Sequence, residues 1–230
     1  MLPTACLFDL DGVLVDTAKY HYLAWKRLAG ELGFHFTESE NERLKGVSRM
    51  ASLDILLEVG GCTHFTVQEK REMADRKNGW YVDYILQMTP EEMLPGALNF
   101  LHDLKKEGIK IALCSASKNA GTILQRVDIT HLFDAVIDGN KITQAKPDPE
   151  VFLTGASELG VSPSQCIVFE DAAAGIEAAI RSGMKSVGIG NPAILHHATV
   201  VIQGFQNITW KQIIKSTLGK SSKPTSTPPV

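Results

Sequence analysis

Residues 5–13, ACLFDLDGV, decide the fold because a run of apolar residues ends there on two carboxylates. Residues 5–9 are short and apolar before a turn, which is typical of a fully buried strand. Asp9 and Asp11 follow with one residue between them. Carboxylates are seldom buried without partners, and like charges at close range repel each other. Either the pair is solvated at the strand end, or a cation lies between the two carboxylates.

Further apolar segments of the same kind alternate with helical patterns along the chain. The predicted strands are 5–9, 109–115, 134–138, 166–171 and 185–190, and the predicted helices between them are 96–107, 119–127, 149–160 and 173–183. Strands that alternate with helices indicate a parallel sheet covered on both faces. We therefore predict an α/β fold whose core is a Rossmann-like, doubly wound parallel sheet.

Residues 17–89 break this alternation, since they contain no convincing strand. Thr37 with Glu40 and Thr66 with Glu69 have the spacing of capping boxes, which open helices. We predict an all-helical cap inserted after the first strand, joined to the core by two crossings of the chain and able to move as a lid.

The predicted division of the chain is a core of residues 1–16 and 90–219, a cap of residues 17–89, and a disordered tail of residues 220–230. The tail is rich in Ser, Thr and Pro, which favours disorder.

Composition excludes several classes of protein. The net charge is −3 without a block of like charges, which argues against nucleic-acid binding. No apolar stretch approaches the roughly 18 residues of a membrane span, and the N-terminus lacks the features of a signal peptide. The four cysteines are scattered without a CxxC pair, which suits a reducing cytoplasm. Nothing suggests an obligate interface, so we expect a monomer.

Polar residues follow the predicted strands and the loops beside them. Because functional groups gather at the carboxyl ends of parallel strands, these residues should share one crevice. They are Asp9, Asp11, Ser115, Lys146, Glu170 and Asp171. An acidic, all-oxygen site suits Mg²⁺ together with a substrate phosphate. Ser115 before a helix and the point charge of Lys146 would bind that phosphate, and an aspartate would accept the phosphoryl group.

The segments FDLDGV, SAS, KP and ED, in this order, resemble the four motifs of the haloacid dehalogenase superfamily. The resemblance implies that Asp9 is the nucleophile that forms an aspartyl-phosphate, and that Asp11 is the general acid/base. It also implies a cis peptide bond at Lys146–Pro147. One departure is Ala172, because the family commonly has Ser after the ED pair.

The segments DTAKYHYLAWKRLA, LKGVSR, RKN and SASKN resemble the sugar-phosphate mutases of that superfamily. This narrower resemblance covers roughly residues 4–218. It implies interconversion of β-glucose 1-phosphate and glucose 6-phosphate on one Mg²⁺ per chain, through β-glucose 1,6-bisphosphate. A sugar-phosphate phosphatase of the same superfamily is the alternative, and a non-enzymatic phosphosugar sensor is a more distant one.

The resemblance assigns roles residue by residue. The metal ligands would be Asp9, Glu170, Asp171 and the backbone carbonyl of Asp11. Ser115 and Lys146 would hold the transferring phosphate. The distal phosphate and sugar would contact Gly46, Arg49, Ala116, Ser117, Lys118, Asn119, Trp25, Ser52 and Lys77, with Thr17 and His21 at the hinge.

Each of these residues also has an ordinary structural interpretation. Glu170 and Asp171 would favour the start of the following helix in any protein, because acids suit helix N-termini. Arg49 alone reads as a surface charge and Trp25 as packing within the cap. The order and spacing of the motifs favour the functional interpretation over these alternatives.

Overall fold

The computed structural model describes residues 2–44, 48–62 and 64–219. Within them, a six-stranded sheet has the order β3-β2-β1-β4-β5-β6, and each neighbouring pair is parallel. The strands are β1 (Ala5–Phe8), β2 (Lys110–Cys114), β3 (Ala135–Ile137), β4 (Cys166–Glu170), β5 (Lys185–Ile189) and β6 (Val200–Ile202). The predicted α/β class is confirmed, and β6 is a strand that the sequence analysis did not assign.

Helices cover the sheet and form the insertion. They are α1 (Ala18–Glu31), α2 (Glu38–Asn41), α3 (Arg49–Val59), α4 (Val67–Ile85), α5 (Ala97–Lys106), α6 (Ala120–Arg126), α7 (Glu150–Leu159), α8 (Ala173–Arg181) and α9 (Trp210–Leu218). The helix α9 was also not assigned from the sequence. No helix in these described ranges combines the length and the apolar character needed to cross a membrane.

The central strand β1 is buried on both faces of the sheet, as its uninterrupted apolar run predicts. Phe8 belongs to a cluster that includes Phe100, Phe169 and Phe205, and its ring stacks on that of Phe169 with centroids 4.6 Å apart. Leu7 faces the opposite cluster, with Phe152 of α7. Neighbouring residues of a strand point to opposite faces, so β1 is enclosed on both sides and fixes where Asp9 emerges.

The helices α1 to α4 lie between β1 and α5 in the chain and have an apolar cluster of their own, which includes Trp25, Leu28 and Leu53. Both predicted capping boxes are present, at Thr37 and at Thr66. The all-helical insertion is therefore confirmed for the described residues. The domain limits stay predictions, and the tail of residues 220–230 lies outside the described residues.

The two crossings between the insertion and the core lie against each other. Leu94 N–H donates to the carbonyl of Leu14 over 2.8 Å. At the start of α1, Tyr20 donates its hydroxyl proton to Glu92, and Lys19 Nζ lies 2.6 Å from the same carboxylate. The two crossings are thus joined by main-chain and side-chain bonds.

Candidate active site

Three carboxylates meet where β1 and β4 end. These two strands are parallel neighbours, with Phe8 opposite Phe169, so Asp9 and Glu170 leave the sheet side by side. One carboxylate oxygen from each of Asp9, Glu170 and Asp171 lies within 4.8 Å of the others. The predicted acidic cluster therefore exists at the carboxyl edge of the sheet.

Two glycines let the backbone approach these carboxylates closely. Gly12 has a φ of +76°, and a Cβ there would lie 2.0 Å from Asp171 Oδ2. A Cβ on Gly175, in α8, would lie 2.0 Å from the side-chain carboxyl carbon of Glu170. A side chain at either position would displace a carboxylate, so glycine is a geometric requirement of this site.

Lys146 provides positive charge inside the cluster. Its Nζ lies 2.5 Å from Asp9 Oδ1 and 2.9 Å from Glu170 Oε2, and its side chain is only 10% exposed. Burial works to lower the pKa of Lys146, but the two carboxylates raise the pKa above its usual value. The Lys146–Pro147 peptide bond is cis. The ammonium group is therefore charged and held against the predicted nucleophile.

The carboxylates are poorly compensated despite Lys146. Burial raises the pKa of Asp9 to about 7, with opposition from Lys146 and further increase from Glu170 and Asp11. Burial and the neighbouring Glu170 and Asp9 raise the pKa of Asp171 to about 8. Three converging, repelling oxygen ligands on a buried edge fit a small hard cation such as Mg²⁺. The predicted magnesium site is thus consistent with the donor set.

The side chain of Asp11 is hydrogen-bonded to Thr17 and is not one of the three clustered carboxylates. Its Oδ1 accepts a hydrogen bond from the hydroxyl of Thr17, which is fully buried just before α1. Burial raises the pKa of Asp11, and the bond from Thr17 opposes that increase. Thr17, a predicted hinge residue, thus holds the predicted acid/base by its carboxylate.

The loop SASKN follows β2, which lies beside β1 in the sheet. Ser115 is buried, and its hydroxyl oxygen accepts the N–H of Ser117 over 3.1 Å. Ser117 in turn accepts the N–H of Asn119 over 3.2 Å. Ala116 and Lys118 are exposed. Hydrogen bonds from backbone N–H groups to its own serine hydroxyls therefore shape the loop, which lies at the same edge of the sheet as the acidic cluster.

The cap carries a group of cations. Lys77 is only 2% exposed, its Nζ lies 2.9 Å from His21 Nδ1, and it stands 4.5 Å from the ring centroid of Trp25. Burial and the charge of Arg49 lower the pKa of Lys77 to about 7. Burial, Lys77 and Arg49 lower the pKa of His21 to about 3. In the described part of the chain no carboxylate pairs with Lys77, so this group suits an anionic ligand.

The remaining cap residues lie around this group. Arg49 is the first residue of α3 and is exposed, with Asp75 Oδ1 3.8 Å from its guanidinium. Ser52 is buried one turn further along α3. Gly46, another predicted ligand contact, lies outside the described residues. The helix α4, which carries Lys77, lies against α6 and so near the SASKN loop.

Tyr81 is a residue of this region that the sequence analysis did not single out. Its ring stacks on that of His21, with centroids 4.0 Å apart, and Lys77 Nζ lies 5.1 Å from its centroid. A spacing of four residues from Lys77 places both side chains on one helix face, which was the available signal.

Comparisons with known proteins agree with this geometry. A family model of haloacid dehalogenase-like hydrolases matches residues 3–183. The β-phosphoglucomutase of Bacillus subtilis is 46% identical over 206 residues, which make up 89% of this chain and 91% of that protein. The crystal structure of β-phosphoglucomutase from Clostridium difficile matches with a TM-score of 0.86 and 43% identity, covering 95% of this chain and 98% of the other.

A phosphatase is also among the relatives. The phosphorylated carbohydrates phosphatase of Thermotoga maritima is 30% identical over 80% of this chain and 83% of its own length. The strand-end carboxylates and the extent of the family match lead to one conclusion: the chain belongs to the haloacid dehalogenase-like hydrolase family.

Proposed function

We propose that this protein is a β-phosphoglucomutase, an isomerase that interconverts β-D-glucose 1-phosphate and D-glucose 6-phosphate. The observation that carries the proposal is its similarity to the β-phosphoglucomutase of Bacillus subtilis, 46% identical across 89% of this chain. An acidic cluster alone would suit a phosphatase equally well. The length of the similarity matters because it includes the cap as well as the core.

Asp9 is the nucleophile in this proposal. Its carboxylate oxygen attacks phosphorus, and the bond between phosphorus and the sugar oxygen breaks. Held by the side chains of Asp9, Glu170 and Asp171 and by the backbone carbonyl of Asp11, Mg²⁺ would supply positive charge to the transferring group. Lys146, 2.5 Å from Asp9, supports this role because its ammonium group offsets charge on the oxygens.

Asp11 is the general acid/base. It gives a proton to the leaving sugar oxygen and takes one from the attacking hydroxyl in the second half of the cycle. Burial raises the pKa of Asp11, which favours the protonated form that donation requires. The bond from Thr17 holds the carboxylate at the hinge until the substrate is bound.

Binding of the two phosphates is divided between core and cap. Ser115 and Lys146 hold the transferring phosphate. Arg49 reaches the distal phosphate from the cap, and its planar fork suits bidentate binding. The other contacts are assigned to Gly46, Ala116, Ser117, Lys118 and Asn119 for the phosphate, to Trp25, Ser52 and Lys77 for the sugar, and to Thr17 and His21 for hinge closure.

A mutase must keep its phosphorylated Asp9 from water in the interval between release of one sugar monophosphate and arrival of the next. While β-glucose 1,6-bisphosphate turns round, the phosphoryl group is on the sugar and Asp9 is free to accept the other phosphoryl group. Closure of the cap on the distal phosphate would exclude solvent, and retention of Asp11 by Thr17 would withhold the base from water before closure. Lys77 supports this scheme, because it is buried without a carboxylate partner among the described residues and closure on an anion would compensate its charge.

A magnesium-dependent sugar-phosphate phosphatase is the second candidate, favoured by the 30% identity to the Thermotoga maritima phosphatase. A hydrolase of monophosphates needs no second phosphate site. Arg49 and the SASKN loop therefore favour the mutase. We also propose a monomer that acts in the cytoplasm, in keeping with small phosphosugar substrates.

A product assay separates the two candidates. The protein is given β-glucose 1-phosphate, Mg²⁺ and a trace of β-glucose 1,6-bisphosphate. Formation of glucose 6-phosphate without steady release of inorganic phosphate is expected, and release of phosphate at the rate of substrate loss would indicate the phosphatase. Asp9→Asn should abolish turnover, whereas Asp83→Asn, on an exposed position of α4, should not.

A further inference from the structure

The hydroxyl of Tyr81 is a polar group buried beside the predicted acid/base. Tyr81 is 1% exposed, and its hydroxyl oxygen has no hydrogen-bond partner among the residues that the structure describes. Buried tyrosine hydroxyls usually find one, because leaving such a group unpaired destabilises the fold. The unpaired Tyr81 hydroxyl therefore points to a partner that, in the described conformation, is hydrogen-bonded to another group.

The groups around this hydroxyl identify that partner. Burial raises the pKa of Tyr81, the charge of Asp11 raises it further, and the hydroxyl of Thr17 opposes the increase. Geometry also places Tyr81 beside Thr17, because the N–H of His21 donates to the Thr17 carbonyl over 3.1 Å and the His21 ring lies against the Tyr81 ring. The ring itself is fixed by its stacking on His21, with centroids 4.0 Å apart.

Thr17 has one proton to donate, and it donates that proton to Asp11 Oδ1. While this bond exists, Oδ1 of Asp11 is less available for proton exchange with a sugar hydroxyl. When Asp11 turns toward substrate, the bond breaks and leaves the buried Thr17 hydroxyl without an acceptor. Tyr81 is the adjacent group with unused hydrogen-bonding capacity.

We propose that Tyr81 is a positioning residue for Asp11, whose hydroxyl becomes the alternative hydrogen-bond partner of Thr17 when Asp11 leaves for the substrate. The inference rests on the proposed function, in which Asp11 is the acid/base. One Thr17 bond is exchanged for another, so departure of Asp11 leaves no additional buried hydroxyl unpaired. The unpaired Tyr81 hydroxyl also makes the resting arrangement less stable than it would otherwise be.

Tyr81→Phe tests this exchange because it removes the hydroxyl and keeps the ring. The expected kcat is about 3- to 10-fold lower, the range of one neutral hydrogen bond, with KM unchanged. The melting temperature should stay the same or rise, because an unpaired buried hydroxyl has been removed. A purely structural tyrosine would show a lower melting temperature and no selective loss of kcat.

Background variants show whether Tyr81 acts through Thr17. In Thr17→Val the further change Tyr81→Phe should no longer alter kcat, whereas in Thr17→Ser, which keeps the hydroxyl, the loss should persist. Tyr84→Phe, one turn along α4, is the matched control and should leave kcat unchanged.

The outcomes are distinct. The exchange is overturned if Tyr81→Phe leaves kcat unchanged, or if Tyr81→Phe lowers kcat in the Thr17→Val background as much as in the wild type. Either result leaves the proposed mutase activity unaffected. A wild-type protein that forms no glucose 6-phosphate in the same assay overturns the proposed function and this inference together.

Discussion

The buried ammonium group of Lys77 is the least compensated charge described in the cap. It is 2% exposed, and its neighbours are the neutral ring of His21, the faces of Trp25 and Tyr81, and the positive charge of Arg49. Aromatic faces attract a cation, but they replace only part of its hydration. Lys77 therefore lowers stability in the unliganded protein, and an anionic ligand would reverse that effect.

Lys77→Met should stabilise the unliganded protein in a pH-dependent manner. The pKa of Lys77 is about 7 in the fold against an ordinary 10.5, so unfolding takes up a proton between these pH values. The destabilisation is fully present below pH 7 and disappears as the pH rises toward 10.5. The gain in unfolding free energy should be about 2–3 kcal/mol larger at pH 6.5 than at pH 9, measured by urea denaturation.

Lys70→Met is the matched control, since Lys70 on the same helix is paired with Asp54 at the surface, 2.7 Å away. It should change stability little at either pH. A gain for Lys77→Met that does not depend on pH would contradict the account of an uncompensated charge. Lys77→Met should also bind substrate more weakly, because it lacks the positive charge that the anionic substrate would contact.

At the scale of elements, α8 begins without a side-chain cap. Its N-cap residue is Ala172, so no hydroxyl or carboxylate at that position accepts the first N–H groups of the helix. Glu170 Oε1 instead accepts the N–H of Asp171 and of Ala172, over 3.2 and 3.1 Å. The departure noted in the sequence is thus a missing cap beside the acidic cluster.

Ala172→Ser should raise the unfolding free energy by about 1 kcal/mol, because Ser can accept an N–H group of the first turn of α8. Thermal or urea unfolding measures the change. Ala173→Ser, one residue further and inside the helix, should be neutral or slightly destabilising. Equal effects of the two substitutions would show that a cap is not the cause.

The elements that the sequence analysis identified are those with strong local patterns. β1 and β4 are fully buried, so their apolar runs predict strands and the positions where Asp9 and Glu170 emerge. The strand β6 has only three residues, too few for a pattern. The helix α9 has a readable capping box at Thr209 and Gln212, which was overlooked.

The site residues that the sequence predicts are likewise those that belong to strong local patterns. Asp9, Lys146, Glu170 and Asp171 follow strands or lie in a recognisable motif, and the structure brings their side chains together. The spacing of four residues from Lys77 indicates only that Tyr81 shares a helix face with it, and an aromatic residue on an amphipathic helix usually indicates packing, so the sequence does not predict a role for its hydroxyl. Its significance depends on a hydroxyl without a partner, which is visible only in three dimensions.

At the scale of the whole molecule, the cap has one apolar cluster of its own and also contributes Ala24, Tyr81 and Ile85 to the main cluster of the core, and two crossings of the chain join the two parts. Leu14 and Leu94 hydrogen-bond across these crossings, and Glu92 receives bonds from Tyr20 and Lys19. Cationic groups lie on both sides, with Arg49 and Lys77 in the cap and Lys146 in the core. A ligand with a phosphate at each end would therefore draw the two parts together.

If a bisphosphate draws cap and core together, binding of the ligand through Arg49 should reduce backbone motion in the two segments that join them. In Asp9→Asn, which prevents turnover, saturating β-glucose 1,6-bisphosphate should slow amide hydrogen exchange in residues 89–95 by about 10-fold or more, the scale of charged hydrogen bonds. Adding Arg49→Ala should remove most of that slowing even at saturation. Arg43→Ala, whose guanidinium pairs with Glu58 3.0 Å away at the surface, should retain it. If the doubly substituted Arg49 protein stays fully protected, the cap closes by contacts other than the distal phosphate.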